Sequence, residues 1–358
     1  MDKQEYIKEI IAKIQLSDNT EFKYDELSIV KEYRQQEENK SSLAIKVLSV
    51  FGGLLATLAF MGFLLIAGLY DSKFGLIFFG VVFIVASILL NKAYDKIIID
   101  TLSVSTYVIA YALLAFGMDQ YDIDDNIILL LFVAIAAFTL YLIQSYILSF
   151  ISILITSGSL MGLIIENDAY NLIHLYIAAT AFLLIYFMLN EAKIIASYKK
   201  LSKMYNPIRV GFIFSLIYGL GIISIKDLFN ISQDYIWLSS IVMFSAIMYL
   251  VYRILDILGI KSANNKTLVY ITSALVLIPT VFSPSISGAI LIVLLSFLIN
   301  YKTGFVIGII SFVYFLSQYY YDLNYTLLTK SIILFSSGTV FIMFYLFTVK
   351  KLVGDEKL

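Results

Sequence analysis

NLIHLYIAATAFLLIYFMLNEAKIIASYKKLSKMYNPIRVGFIFSLIYGLGIISIK, residues 171–226, decides the fold. Residues 171–189 and 208–226 are almost wholly apolar, and Lys193, Lys199, Lys200, Lys203 and Arg209 cluster around the connector between them. A helix rising 1.5 Å per residue needs about 20 mainly apolar residues to cross a hydrocarbon core ~30 Å thick. Two such runs flanking a basic connector read as two membrane spans whose shared loop is cytoplasmic, because Lys and Arg are retained on that side.

The same template applied outward gives twelve runs. They are 46–70, 74–91, 98–117, 126–143, 146–165, 171–189, 208–226, 235–257, 267–282, 285–300, 303–320 and 329–349. Gln144-Ser145 joins the fourth and fifth as a tight turn or as a break in one longer helix. The ninth and tenth flank Pro279 and Pro284, as two spans or one re-entrant pair. With the N-terminus inside, the inner segments carry eighteen basic residues counted near the spans: Lys31, Arg34, Lys40, Lys46, Lys92, Lys96, Lys193, Lys199, Lys200, Lys203, Arg209, Arg253, Lys261, Lys266, Lys302, Lys350, Lys351 and Lys357. The outer segments carry three: Lys73, Lys226 and Lys330. The fold class is therefore all-α, a polytopic transmembrane bundle of about 12 spans, N-in and C-in. Residues 1–45 form a cytoplasmic helical segment, 46–349 the bundle and 350–358 a cytoplasmic tail.

Composition agrees. The chain is 60% hydrophobic and 14% charged, with a mean hydropathy of +0.89, whereas soluble domains carry roughly 25% charged residues. A net charge of −1 gives no field directed at nucleic acid. The absence of cysteine excludes disulfides, thiolate metal sites and cysteine nucleophiles. His174 is the only histidine, so no zinc site is expected. The first apolar run follows some 45 polar residues, and it reads as an uncleaved signal anchor. Before it, Tyr6, Ile7, Ile10, Ile11 and Ile14 recur at helical spacing and a second stretch covers Tyr24–Lys40. This pattern suits a hairpin on the membrane surface or a module that docks other membrane proteins.

Ionisable groups are costly at bilayer depth and mark function when they occur there. Here they are scarce, which argues against a proton relay. Asp100 precedes Ser103, Ser105 and Thr106, as a helix cap or the edge of a polar pocket. Arg253 and Asp256, three apart, share one helix face as a snorkelling ion pair or a gate. His174 opens the sixth run at an interface, and Gln318 suits an interhelical hydrogen bond. Gly158 with Gly162, and Gly304 with Gly308, have the spacing that lets helices approach closely. The acidic loop Asp119–Asp125 lacks the Ca²⁺-loop spacing and reads as solvated. Tyr residues at run ends, with Trp237, form an interfacial belt. No GxxxxGKS or GxxxxGKT, HExxH or GxSxG run is present, so neither catalysis nor a cofactor is expected.

Pro284-Ser285-Ile286-Ser287-Gly288-Ala289 opens the tenth run. The eleventh leads into Tyr319-Tyr320-Tyr321-Asp322-Leu323, then Thr326-Leu327-Leu328 and Lys330-Ser331. The shape P-x-I-S-G-A, a glycine-bearing span and Y-Y-Y-x-L-x-x-T-L-L-x-K-S resembles the C-terminal pattern of a bacterial multi-pass family, domain-of-unknown-function family 4401. Ala112–Gly117 is similar to the end of an early Ala/Leu-rich span of that family, with Tyr111 departing from its pattern. The resemblance implies a bacterial inner-membrane protein and carries no activity. Physically, Lys330 can fold back onto Asp322 under a lid of Tyr319, Tyr320 and Tyr321. The same residues can instead present an outward site for an anionic group. Two functions stay open: a non-catalytic membrane component or assembly partner, and a secondary transporter or lipid flippase for an amphipathic or anionic substrate.

Overall fold

The computed structural model describes residues 43–93, 97–143, 145–197, 199–225, 235–260, 262–322 and scattered positions from 326 to 346. Among these residues every regular element is helical. They are α1 Leu43–Ile66, α2 Lys73–Ala93, α3 Ile97–Asp119, α4 Asp125–Leu142, α5 Tyr146–Glu166, α6 Leu172–Leu189, α7 Glu191–Ser197 and α8 Lys199–Ser224. After them come α9 Ile236–Ile257, α10 Ala263–Leu277, α11 Pro284–Leu298 and α12 Lys302–Asp322. Nine helices among the described residues are long and apolar enough to cross a membrane, and Leu55–Leu64 and Pro284–Leu298 are shorter apolar stretches. The first eleven apolar runs each lie on a helix. The N-terminal segment and most of the run at 329–349 lie outside the described residues.

Large apolar side chains face outward in a way water does not tolerate. Ile66, Phe74, Phe138, Phe182 and Phe282 are all exposed, where soluble monomers rarely show contiguous apolar patches beyond a few hundred Å². In lipid such faces cost nothing, and helix association rests instead on close packing. Glycine supplies that packing at some positions and not others. A Cβ on Gly308 would lie 3.0 Å from the Val293 backbone nitrogen, so α11 and α12 meet backbone to backbone there. In the first GxxxG pair only one glycine is close: a Cβ on Gly162 would lie 3.0 Å from the Leu129 side chain, whereas Gly158 has nothing within 4 Å of such an atom.

The chain leaves regular α-helix at both joints left open in the sequence. Ile143, after α4, is extended (φ −107°, ψ 151°), so α4 and α5 are separate helices. After α10 a 3₁₀ turn, Ile278–Phe282, leads to an extended Ser283 (φ −141°, ψ 79°) before α11 begins at Pro284. The basic connector, read as a loop, is instead helical: it forms α7 and the first turns of α8, which runs through Pro207. Its apolar residues are the reason. Ile194, Met204 and Tyr205 are buried and recur on a helical face among the lysines. Asp124 of the acidic loop caps α4, its carboxylate accepting from the Asn126 N–H at 2.8 Å.

The chain divides into two compact units, residues 1–128 with 138–148, and residues 129–137 with 149–358. In the first, α2 and α3 pack closely, with Gly80 against Leu114 and Gly117 against Ile77. Lys73 donates to the Gln120 carbonyl, and the Gln120 amide reaches the Tyr70 carbonyl at 2.7 Å. Leu64, Leu76, Ile109 and Leu113 form its apolar centre. An apolar groove of about 560 Å³ between α1 and α3 includes Ser105 and Thr106 of the polar face.

In the second unit, Ile177, Leu184, Leu216, Met243, Ile247, Leu291, Leu295 and Phe315 fill the space between α6, α8, α9, α11 and α12. Hydrogen bonds at its two ends fix the helix directions. At one end His174 meets Ser239, Ser240 donates to the Val281 carbonyl and Ser285 donates to the Leu220 carbonyl. At the other, Tyr205 donates to the Phe187 carbonyl, and Arg209 meets Glu191 and Tyr301. Helices α6, α8, α9, α11 and α12 therefore alternate in direction, α10 returning the chain to the first end.

Candidate functional site

Both halves of the C-terminal motif meet at the first of these ends. A recess of about 390 Å³ is lined by Ser283, Pro284 and Ser285 from the start of α11, and by Tyr319 and Asp322 from the end of α12. Ile236 and Trp237 at the start of α9, and Ser224 at the end of α8, complete its wall. The sequence separates these residues by up to about a hundred positions, and the alternation of helix directions brings them together.

Each wall has a local cause. Proline is tolerated at the first helical position because its missing N–H would have no intrahelical partner there, so Pro284 starts α11 without loss. The next residues are packed solid: Ser285, Ile286, Ser287, Gly288 and Ala289 are all buried. The Ser285 hydroxyl donates to the Leu220 carbonyl at 2.9 Å and Ser287 donates to the Thr280 hydroxyl at 2.6 Å, which fixes the α11 start against α8 and the 3₁₀ turn. Small residues are needed there, since a side chain on Gly288 would collide with Leu220.

Lys330 does fold back on the end of α12, but not onto Asp322. Its ammonium donates to the Tyr321 carbonyl at 3.2 Å and lies 5.2 Å from the Tyr320 ring centroid. A carbonyl in the last turn of a helix has no intrahelical donor and carries the negative end of the helix dipole, so it competes well for a lysine. Asp322 instead accepts from the Gln318 amide at 3.2 Å. That bond is within one helix, not between helices as Gln318 suggested from its position. Tyr319 packs on the apolar core, whereas the Tyr321 side chain is exposed.

The remaining candidates lie apart from the recess. Asp100 stands in the first turn of α3. Arg253 and Asp256 form no ion pair; Asp256 is exposed and the buried Nε of Arg253 has no hydrogen-bond partner. His174 is 4% exposed, with Nδ1 2.7 Å from the Ser239 hydroxyl, so it joins α6 to α9 near the start of both helices.

The sequence missed Arg209. Counted there as a loop charge, it is only 8% exposed. Its guanidinium carbon lies 3.5 Å from the Tyr301 ring centroid and 5.1 Å from that of Tyr205, and Nη1 lies 3.5 Å from a Glu191 carboxylate oxygen. An arginine stacked on two rings ties α7, α8 and the α11–α12 turn together. The available signal was Tyr205-x-x-x-Arg209, four apart on one helical face.

A family model described as a domain of unknown function (DUF4401) matches residues 42–351, and the chain belongs to that family. No curated protein and no solved structure matches it.

Proposed function

We propose, with membership of this family as the premise, that the chain is a multi-pass bacterial inner-membrane protein that works as a non-catalytic component or assembly partner. It has twelve spans with both termini cytoplasmic. The 1–45 segment docks other membrane proteins, and 350–358 forms a short tail. The alternating helices of the second unit support the span order. Their basic connectors, with Lys193, Lys203 and Arg209 at the end opposite the recess, support the orientation.

The observation that carries the non-catalytic reading is the filled interior of the second unit. Ile177, Leu216, Met243, Ile247, Leu291 and Leu295 close it with apolar atoms, and the buried hydroxyls of Ser157, Tyr176, Thr180 and Ser215 are bonded to one another and to backbone carbonyls. A substrate path needs free polar groups or a gap at mid-depth. The transporter reading draws on the recess at one end and on a groove of about 490 Å³ between α6 and α9, whose lining is mainly apolar.

The chain has no cysteine, so single introduced cysteines report accessibility without background. Tyr321→Cys, at an exposed position beside the recess, should react with a membrane-impermeant maleimide in intact spheroplasts, and Lys193→Cys only after permeabilisation. Leu216→Cys and Leu291→Cys should stay unreactive in both. Labelling of either mid-depth position from one side or the other would turn the reading to transport.

A further inference from the structure

We propose that the groove between α6 and α9 binds one anionic phospholipid, with an acyl chain lying along the groove and the phosphate held by Arg253. The inference rests on the chain spanning a membrane, and not on the span count, the orientation or the role as an assembly partner.

The groove follows one half of the two helices. It is lined from Ala178 to Asn190 on α6 and from Ile241 to Tyr249 on α9. The twelve residues from Ala178 to Asn190 rise about 18 Å at 1.5 Å each, a little over half of a hydrocarbon core ~30 Å thick. A trough of that length runs from mid-depth to one face, which is the depth of a single leaflet and the reach of one acyl chain. Ala181, 1% exposed, and Ala246 leave the space open, and the exposed Phe182, Tyr186, Ile241 and Tyr249 stand along it.

The helix register puts Arg253 at the outer end of this trough. Helices α6 and α9 run in the same direction, with His174 level with Ser239. Met188 and Arg253 each follow by fourteen residues, so Arg253 stands level with the end of α6, where the groove reaches Asn190. It is also on the groove side of α9. Val242, Ala246 and Tyr249 line the groove, and Arg253 comes four residues after Tyr249 and seven after Ala246.

Arg253 asks for an anion. Its side chain is half-buried and meets no acceptor among the described residues; its Nε is closed to water, while the terminal nitrogens stay accessible. Arg209, at the same end of the unit, has Glu191 and two rings around it. A shielded cation without a partner is costly, and an unsatisfied buried polar group in a native fold calls for a ligand or ion. Phosphate suits it, because a guanidinium presents paired N–H donors to its oxygens. The surrounding charge agrees. By sequence, the connectors that follow α6 and α9, residues 190–209 and 253–266, hold eight basic residues and two acidic ones. Of those two, Glu191 is engaged by Arg209, and Asp256 is exposed one turn beyond Arg253 without pairing to it. Basic pockets between transmembrane helices hold anionic lipid headgroups.

The test supplies the purified full chain, washed in maltoside micelles, with equal amounts of dioleoyl phosphatidylglycerol and dioleoyl phosphatidylcholine. Bound lipid is read by native mass spectrometry, and its effect by melting temperature. Phosphatidylglycerol should be retained one per chain, at least tenfold over phosphatidylcholine, and should raise the melting temperature. Arg253→Met keeps the length of the side chain and removes the charge. It should lose the lipid preference and the lipid-dependent rise, with the melting temperature in lipid-free micelles unchanged or higher. Ser245→Phe, at an exposed position in the groove, should block the acyl chain and cut retention as far with Arg253 in place. The proposal is overturned if the unmodified chain holds the two lipids equally, or if Arg253→Met retains phosphatidylglycerol as the unmodified chain does. It is also overturned if Ser245→Phe splits a dimer with lipid retention intact, which assigns the groove to a helix of a second copy. The lipid comparison on the unmodified chain decides the matter even should neither variant fold. None of these results bears on whether the chain crosses a membrane, which the cysteine labelling reads separately.

Discussion

The two ends of the second unit use the same materials, a charged side chain among aromatic rings, and arrange them differently. At the α7–α8 end the charge is closed in: Arg209 is 8% exposed, with Tyr301 3.5 Å away and Glu191 at its edge. At the other end the charge is on the wall of a recess, with Asp322 held by Gln318 and flanked by Trp237 and Tyr319. A buried arginine stacked on rings contributes to stability whether or not anything binds. A carboxylate on the wall of a recess, bonded to one neutral amide of its own helix, adds little to stability. The contrast predicts that substitutions at the first end lower stability, and that those at the second leave it nearly unchanged.

The largest effect should come from Arg209→Ala. It removes a desolvated cation–π contact, worth about 2 kcal/mol, and the packing of the long side chain against α7 and Tyr301. A loss of about 3–4 kcal/mol in all is expected, read as a fall of many degrees in the melting temperature of the detergent-solubilised chain. Arg209→Lys should recover only part of it, since an ammonium lacks the planar face that stacks on Tyr301. A melting temperature unchanged in Arg209→Ala would remove the distinction between the ends.

Gly308→Leu comes next, at about 3 kcal/mol for overpacking, because its Cβ would press on the Val293 backbone and drive α11 from α12. These two helices also carry both motif halves into the recess. Gly158→Leu is its control. With open space at that position it should leave the melting temperature unchanged or slightly raised, leucine being the better helix former.

How much of this was legible follows from the same residues. The helices were, because a 20-residue apolar run leaves the backbone one way to satisfy itself in lipid. The helical connector was not: Ile194, Met204 and Tyr205 sit among four lysines, and charge outweighed periodicity in the reading. The motif singled out residues 284–289 and 319–322, but not their meeting at one recess, which depends on α8 and α9 as well. Lys330 was correctly placed on the α12 end and given the wrong partner. A carboxylate is visible in a sequence, whereas a free helix-terminal carbonyl appears only once the helix end is known. Arg209 was hidden for a similar reason, since nothing in a linear count of basic residues marks one as enclosed.

Lys330→Met probes the recess end from outside the recess. It removes one charged hydrogen bond to the Tyr321 carbonyl and a 5.2 Å cation–π contact, together worth about 1 kcal/mol. The methionine stem should keep most of the apolar contact. A fall of many degrees in the melting temperature would instead make Lys330 a main tie of the α12 end.

The smallest effect is the most discriminating. Glu191 stands 3.5 Å from Arg209, but its side chain is 39% exposed, and partly solvated pairs at this distance are worth about 0–1 kcal/mol. If the rings hold Arg209, Glu191→Gln should cost less than about 0.5 kcal/mol, and raising the salt concentration should barely move the melting temperature of the unmodified chain. If the ion pair holds it, Glu191→Gln should approach Arg209→Ala in cost, and salt should erode the difference between the unmodified chain and the variant. The first outcome makes the closed end a packed aromatic joint whose charge is incidental to its stability.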